Sequence, residues 1–116
     1  MDHIAFLGLA VSDQDRALQF YEALGFEKVS DRDGGDGYRW LTVTPPGAQT
    51  GLTLAHDPSA AGQTTFVYAT ADIGALYDLW SEKGIAFKEP PTPQMWGIQA
   101  ILEDPDGNTI VVVQPV

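Results

Sequence analysis

Asp104, Asp106 and Asn108, in the string EDPDGNTI, place three oxygen-bearing side chains at alternate positions, the spacing with which a calcium loop begins. With Asp104 as the first loop position, the sixth is Thr109 where glycine is needed, and the twelfth is Pro115 where a bidentate glutamate is needed. A calcium loop is excluded. Pro105 fixes φ at one corner and Gly107 accepts a positive φ, so the string reads as a hairpin turn between two apolar strands. Other catalytic patterns fail as well. Neither His3 nor His56 accompanies a serine in a GxSxG elbow, and the glycines of DRDGGDGY do not lead into a helix through lysine as a phosphate loop requires. Asp31, Asp33 and Asp36 in that string suit a hairpin or a flap. Glu103, the acid closest to the apolar strands, adjoins the turn and is expected to face solvent.

Sixteen acidic against six basic residues give a net charge of -10, a field that repels phosphate backbones and anionic lipid, so neither nucleic acid nor a membrane is expected as a partner. No apolar run approaches the roughly 20 residues of a membrane span, and MDHIAFLGLAVSD lacks the basic start of a signal peptide. With no cysteine, disulfides, thiolate metal sites and a cysteine nucleophile are all impossible. The cytoplasm is the default location. The 116 residues, 44% of them hydrophobic, suffice for one domain with an ordinary core.

Alternation and turn residues divide the chain into short strands and two helices. A strand at Ala5 to Val11 runs into a helix capped by Ser12 or Asp13, with Ala17, Phe20, Tyr21 and Leu24 on one face and a left-handed stop at Gly25. Strands FEKVSD, YRWLTVT and TGLTLAH follow, separated by DGGDG and PPGAQ. After the small-residue segment DPSAAGQ the order repeats: TTFVYAT, a helix from Asp72 with Ile73, Leu76 and Trp80 on one face, a stop at Gly84, and strands near IAFK, GIQAILE and NTIVVVQ. The shift that superposes the stop Gly25 on the stop Gly84 also pairs Asp13 with Asp72, Phe20 with Leu79 and Tyr21 with Trp80. Two copies of βαβββ, with modules near 1–56 and 63–116 joined by a linker at 57–62, make one α+β domain, and the two modules are expected to pair into one continuous structure.

VSDQDRALQFYEALGFE, YRWLTVTPPG and WGIQAILEDPDGNTIVVVQ, together with the repeat, resemble the vicinal-oxygen-chelate superfamily: glyoxalases, bleomycin-resistance proteins and extradiol dioxygenases. The resemblance covers nearly the whole chain and implies a glyoxalase-like fold, two modules curving into a cup with the helices outside. In the metalloenzyme members four strand positions supply His and Glu or Gln ligands. Carried over, they fall on Phe6, Thr53, Thr65 and Val111, none a good divalent-metal ligand. Their neighbours Leu7, Leu52, Leu54, Phe66, Ile110 and Val112 offer nothing better, and His3 and His56 stand at strand ends. The resemblance thus implies a member without the usual metal site, and no cofactor is expected.

With those four positions turned inward, a period of two adds Gly8, Ala10, Val67 and Ala69, then Tyr38, Trp40 and Thr42, then Gln99 and Ile101, with Met95 and Trp96 as a rim. The expected ligand-binding set is Phe6, Tyr38, Trp40, Thr53, Thr65, Met95, Trp96, Gln99 and Val111. Its aromatic and sparsely polar character suits an apolar or aromatic small molecule, neutral or cationic. Two function classes follow: a metal-independent binding protein of the bleomycin-resistance type, or an enzyme of the glyoxalase or dioxygenase kind using an unusual metal site or a carboxylate. A structural or regulatory subunit with a self-filled cup is a third. The family's common state, a homodimer, is expected.

Overall fold

A computed structural model describes residues 2–116. The chain divides between Gly62 and Gln63 into two compact units. The first contains β1 (Phe6–Val11), α1 (Gln14–Ala23), β2 (Glu27–Gly35), β3 (Tyr38–Thr44) and β4 (Gly51–His56). The second contains β5 (Thr65–Ala69), α2 (Ile73–Glu82), β6 (Phe87–Gln94), β7 (Gly97–Glu103) and β8 (Thr109–Pro115). Each unit holds a four-stranded mixed sheet, ordered β1-β4-β3-β2 in the first and β5-β8-β7-β6 in the second. The outer pairs β1 with β4 and β5 with β8 are parallel, and the others antiparallel. The class is α+β.

The helices start and stop by the same devices. Asp13 accepts a hydrogen bond from the Arg16 N–H and Asp72 from the Ala75 N–H, both at 3.0 Å, so each helix has a carboxylate N-cap. Gly25 at φ 97° and Gly84 at φ 84° take the left-handed conformation that ends each helix. One face of each helix supplies a large aromatic to its sheet. Tyr21 and Trp80, which the internal repeat places in correspondence, are each fully buried. Tyr21 packs against Phe20 and Phe26, and Trp80 stacks on Phe87 at 6.2 Å and meets Tyr68 at 5.8 Å. Leu9, Val11, Leu41, Val43, Leu52 and Leu54 complete the first core, and Ala100, Leu102, Ile110 and Val112 the second.

Two segments depart from the sequence reading. β2 does not end at Asp31 but continues to Gly35, because Asp36 at φ 52° and Gly37 at φ 78° form the whole hairpin turn, leaving DGG free to pair. β6 likewise runs beyond IAFK through Pro90, Pro91 and Pro93. Its place at the sheet edge and its two register shifts accommodate residues that cannot donate to a ladder.

Two polar networks hold the units' loops. Arg39 grips Asp31 with two hydrogen bonds, of 2.8 and 2.9 Å, and reaches Asp15 at 2.7 Å, tying the β2–β3 hairpin to the first turn of α1. The amide of Gln14 donates to the carbonyls of Leu54 and Arg39, spanning β4 and β3. In the second unit the Asp104 carboxylate accepts from the N–H groups of Asp106 and Asn108 at 3.0 and 2.9 Å and from the Asn108 side chain at 2.9 Å. The Asn108 side-chain oxygen in turn accepts from the Thr64 N–H at 3.0 Å, fastening the turn to the approach of β5. Both side chains are buried, Asn108 completely. The Asp104 and Asn108 oxygens that suggested calcium are occupied by the protein's own donors.

Asp104→Ala strands these buried donors and should cost about 2–3 kcal/mol, read as a lower urea midpoint with an unchanged slope. A loss within experimental error would refute the assigned role of the network. The Arg39 guanidinium holds the Asp31 carboxyl down from its usual 3.8 to about 2. Because the folded value is the depressed one, this pair stabilises the fold above pH about 4, and its contribution is lost as pH falls towards about 2. Solvent screens the pair, so the effect is small and salt-sensitive. The stability gap between wild type and Asp31→Asn should be constant from neutral pH down to about 4 and then close; a gap that persists at the acid end contradicts the pairing.

Candidate functional site

The residues between the buried positions of each strand point to the sheet face away from the helix. In the first unit this open face carries Phe6, Gly8 and Ala10 of β1, Thr53 and Ala55 of β4, and Tyr38 and Trp40 of β3, with Thr42 of β3 on the same side but fully buried. Phe6 and Trp40 meet edge to face, with ring centroids 6.4 Å apart. They come from strands separated by β4, and Gly51 makes the contact possible. A Cβ on Gly51, which pairs with Phe6, would stand 3.1 Å from Phe6 Cε1 and 3.0 Å from Thr44 Cβ and would strike the Val43 carbonyl. The aromatic pair therefore depends on a bare position in the neighbouring strand. Beside it runs a row of hydroxyls, where Ser30 Oγ lies 2.6 Å from Thr42 Oγ1 and Thr42 is the ladder partner of Thr53. Tyr38 and Trp40 are 55% and 37% exposed, leaving ring surface free to receive a partner. A cleft of about 310 Å³ at the edge of this face is lined by His3, Phe6, Val29, Thr44, Gln49 and Gly51, among others.

In the second unit the open face carries Thr65, Val67 and Ala69 of β5, Val111 and Val113 of β8, and Gln99 and Ile101 of β7. Trp96, half-exposed, donates its indole N–H to Gln99 Oε1 at 3.1 Å. Because an indole nitrogen can only donate, this bond fixes the Gln99 amide and presents its NH2 group for another acceptor. Gly97 sets the geometry: its φ of 138° and the approach of the Gln114 carbonyl, which a Cβ would strike, turn the chain so that Trp96 folds back over β7. Met95 is almost wholly exposed at the tip.

The expected binding residues thus fall into two groups. Phe6, Tyr38, Trp40 and Thr53 belong to one sheet face in the first unit, with Phe6 and Trp40 in contact. Thr65, Met95, Trp96, Gln99 and Val111 belong to the second, with Trp96 and Gln99 in contact and Val111 in the ladder between Val67 and Ile101. Sequence reasoning passed over Ser30, which completes the hydroxyl row. It also passed over Glu89, whose Oε1 is buried without a hydrogen-bond partner among the described residues. Such an oxygen carries a cost of about 1–3 kcal/mol that intact folds usually avoid. The shift that relates Tyr21 to Trp80 also relates Ser30 to Glu89, so the repeat held the signal.

Phe6, Thr53, Thr65 and Val111 present a benzyl ring, two hydroxyls and an isopropyl group, which do not fit a divalent metal. Among the described residues no group of three or more His, Asp or Glu side chains is placed to hold one. His56 is exposed at the end of β4, and Glu103 is paired with Lys88 at 3.4 Å. No reaction step through a metal can be drawn from these residues.

Known proteins share this architecture. The fold matches TnmS3, an antibiotic binding protein from Streptomyces sp. CB03234, with a TM-score of 0.90 and 38% identity, over 100% of this chain and 98% of that one. The bleomycin resistance determinant encoded on the transposon Tn5 aligns with a TM-score of 0.76 at 27% identity, over 99% of this chain and 98% of that one. The uncharacterised protein YurT of Bacillus subtilis strain 168 is 34% identical over 96% of this chain and 98% of its own length. A family model matches residues 1–112, and the chain belongs to the Glyoxalase/Bleomycin resistance protein/Dioxygenase superfamily.

Proposed function

We propose that this chain is a metal-independent small-molecule binding protein, holding an apolar or aromatic ligand on the open sheet faces, with Phe6, Tyr38, Trp40, Thr53, Thr65, Met95, Trp96, Gln99 and Val111 as contact residues. The observation that carries this reading is a substitution of chemistry at fixed positions. At the positions onto which the family resemblance carries the metal ligands, this chain has Phe6, Thr53, Thr65 and Val111, and Tyr38, Trp40 and Trp96 are exposed. Rings with one free face and a few oriented polar groups recognise a planar guest without catalysing anything. TnmS3 supports the reading as an antibiotic binding protein of the same fold. Exposed apolar side chains on the two faces, Val67 at 65% and Trp40 at 37%, further support a homodimer in which a second copy covers part of this surface.

Adding zinc, nickel, manganese or iron(II) at stoichiometric amounts should leave Tm unchanged. A rise that disappears in His56→Ala would replace the binding reading with a metalloenzyme. Planar aromatic compounds should quench fluorescence from the exposed Trp40 and Trp96, while the fully buried Trp80 continues to emit. Trp96→Ala should weaken such binding roughly tenfold with little change in stability, because the ring is half-exposed. Failure of every planar compound to bind the wild-type protein would remove the proposal.

A further inference from the structure

The two sheets assign the same ladder positions to different chemistry. Lys28 pairs with Val43 and Ser30 with Thr42 across a register shift in β2. The internal repeat turns these into Phe87 with Leu102 and Glu89 with Ile101, across a register shift at the same place in β6. In the first unit the Ser30–Thr42 hydroxyl contact shows that this bulge directs residue 30 to the open face, since Leu41 and Val43 on either side of Thr42 fill the core. Glu89 therefore occupies the open face of the second sheet. Its row continues through Ile101, Val111 and Val67, where the first sheet has Thr42, Thr53 and Gly8. Ser30 finds a hydroxyl across the ladder. Glu89 finds an isoleucine, and its Oε1 is left without a donor among the described residues.

A carboxylate oxygen at the end of an apolar row, two positions along the ladder from the Gln99 that Trp96 orients, has no hydrogen-bond partner among the described residues. Glu89 as a whole is only half-buried, so a change of rotamer along its side chain can carry the carboxylate out of the row to a ligand at the surface. Opposite charge and a directed N–H would then satisfy an atom that the fold leaves bare. From this we infer that Glu89 is a specificity-determining residue, accepting a hydrogen bond from a protonated amine or amidine nitrogen on an aromatic ligand whose ring lies against Trp96. The inference rests on the small-molecule binding reading and narrows it to cationic aromatic compounds with an N–H donor.

Proflavine and acridine test it. They share one ring system, but at neutral pH the first is a cation with exocyclic N–H groups and the second is uncharged without them. Wild type should bind proflavine about tenfold more tightly than acridine at moderate salt, where the diffuse attraction of the acidic surface is screened. Glu89→Gln should abolish this preference while acridine affinity stays the same. Glu103→Gln, removing an acid already paired with Lys88, should keep it. Independently of any ligand, Glu89→Leu should have a Tm equal to or above wild type, because an unpartnered oxygen is removed from an apolar row. A full proflavine preference in Glu89→Gln overturns the inference and leaves the binding reading standing. A lowered Tm in Glu89→Leu overturns it also, by showing a structural partner for the carboxylate. Binding of neither dye to wild type overturns the inference, while the binding reading is decided by the wider set of planar compounds.

Discussion

One ten-residue helix can cover only one face of a four-stranded sheet, and the organisation of both units follows from that limit. Strand residues alternate, so burying Leu41 and Val43 under α1 forces Trp40 and Thr42 to the other side, and burying Ala100 and Leu102 under α2 does the same to Gln99 and Ile101. The helix side is saturated by large apolar groups and leaves no freedom for chemistry. The opposite side is where this chain can differ from its relatives without losing its fold. Aromatic rings on that face are thus free of the core-packing duty that fixes Tyr21 and Trp80.

The repeat makes the division visible. Elements from β1 through β3 recur at one fixed spacing as β5 through β7, so that Phe6 is matched by Thr65 and Tyr38 by Gly97. Thr53 of β4 corresponds in the ladder to Val111 of β8, one position short of that spacing. The lost residue belongs to the connection before the last strand, where Asp104 and Asn108 close a turn one residue shorter than the loop from Thr44 to Gly51. Core and cap positions persist across the shift: Asp13 with Asp72, Gly25 with Gly84, Tyr21 with Trp80. Open-face positions diverge, serine becoming glutamate and threonine becoming isoleucine. Physical duty accounts for both behaviours, since a helix cap or a core aromatic must satisfy the same neighbours twice while an open face need not.

Much of this was legible beforehand because it rests on local periodicity. Caps, stops, the parity that turns Trp40 and Gln99 away from the helix side, and the poor ligand chemistry at Phe6, Thr53, Thr65 and Val111 can all be read from residue types and spacing. Misread segments were those where pairing overrides composition. DGG looks like a turn yet pairs as a strand because Asp36 and Gly37 alone make the reversal, and the proline-rich residues after IAFK lie outside the expected strand yet extend it, because an edge strand needs fewer donors. Register shifts are the hardest to foresee. Simple alternation from Phe87, which packs on Trp80, would have turned Glu89 into the core, and only the bulge sends it out. The Gly51 and Gly97 contacts are also invisible in sequence, because they arise between strands far apart in the chain.

Net charge and a single carboxylate act at different ranges, and the difference bears on how an acidic protein could discriminate among guests. The net charge of -10 produces a field that salt screens over about 8 Å at physiological ionic strength, enough to gather cations near the surface but not to orient one. Orientation needs an acceptor at bonding distance beside a low-polarity surface, where competition from water is weak and a misplaced donor loses the whole bond. The paired acids do not meet that description: Asp31 is held by Arg39 and Glu103 by Lys88, both within reach of solvent. Glu89 differs from them in having Ile101 as its ladder neighbour and an oxygen with no donor among the described residues. Under the proposed binding role, the acidic surface sets how often a cation arrives, while the row from Glu89 to Val67 sets which of the arrivals stays.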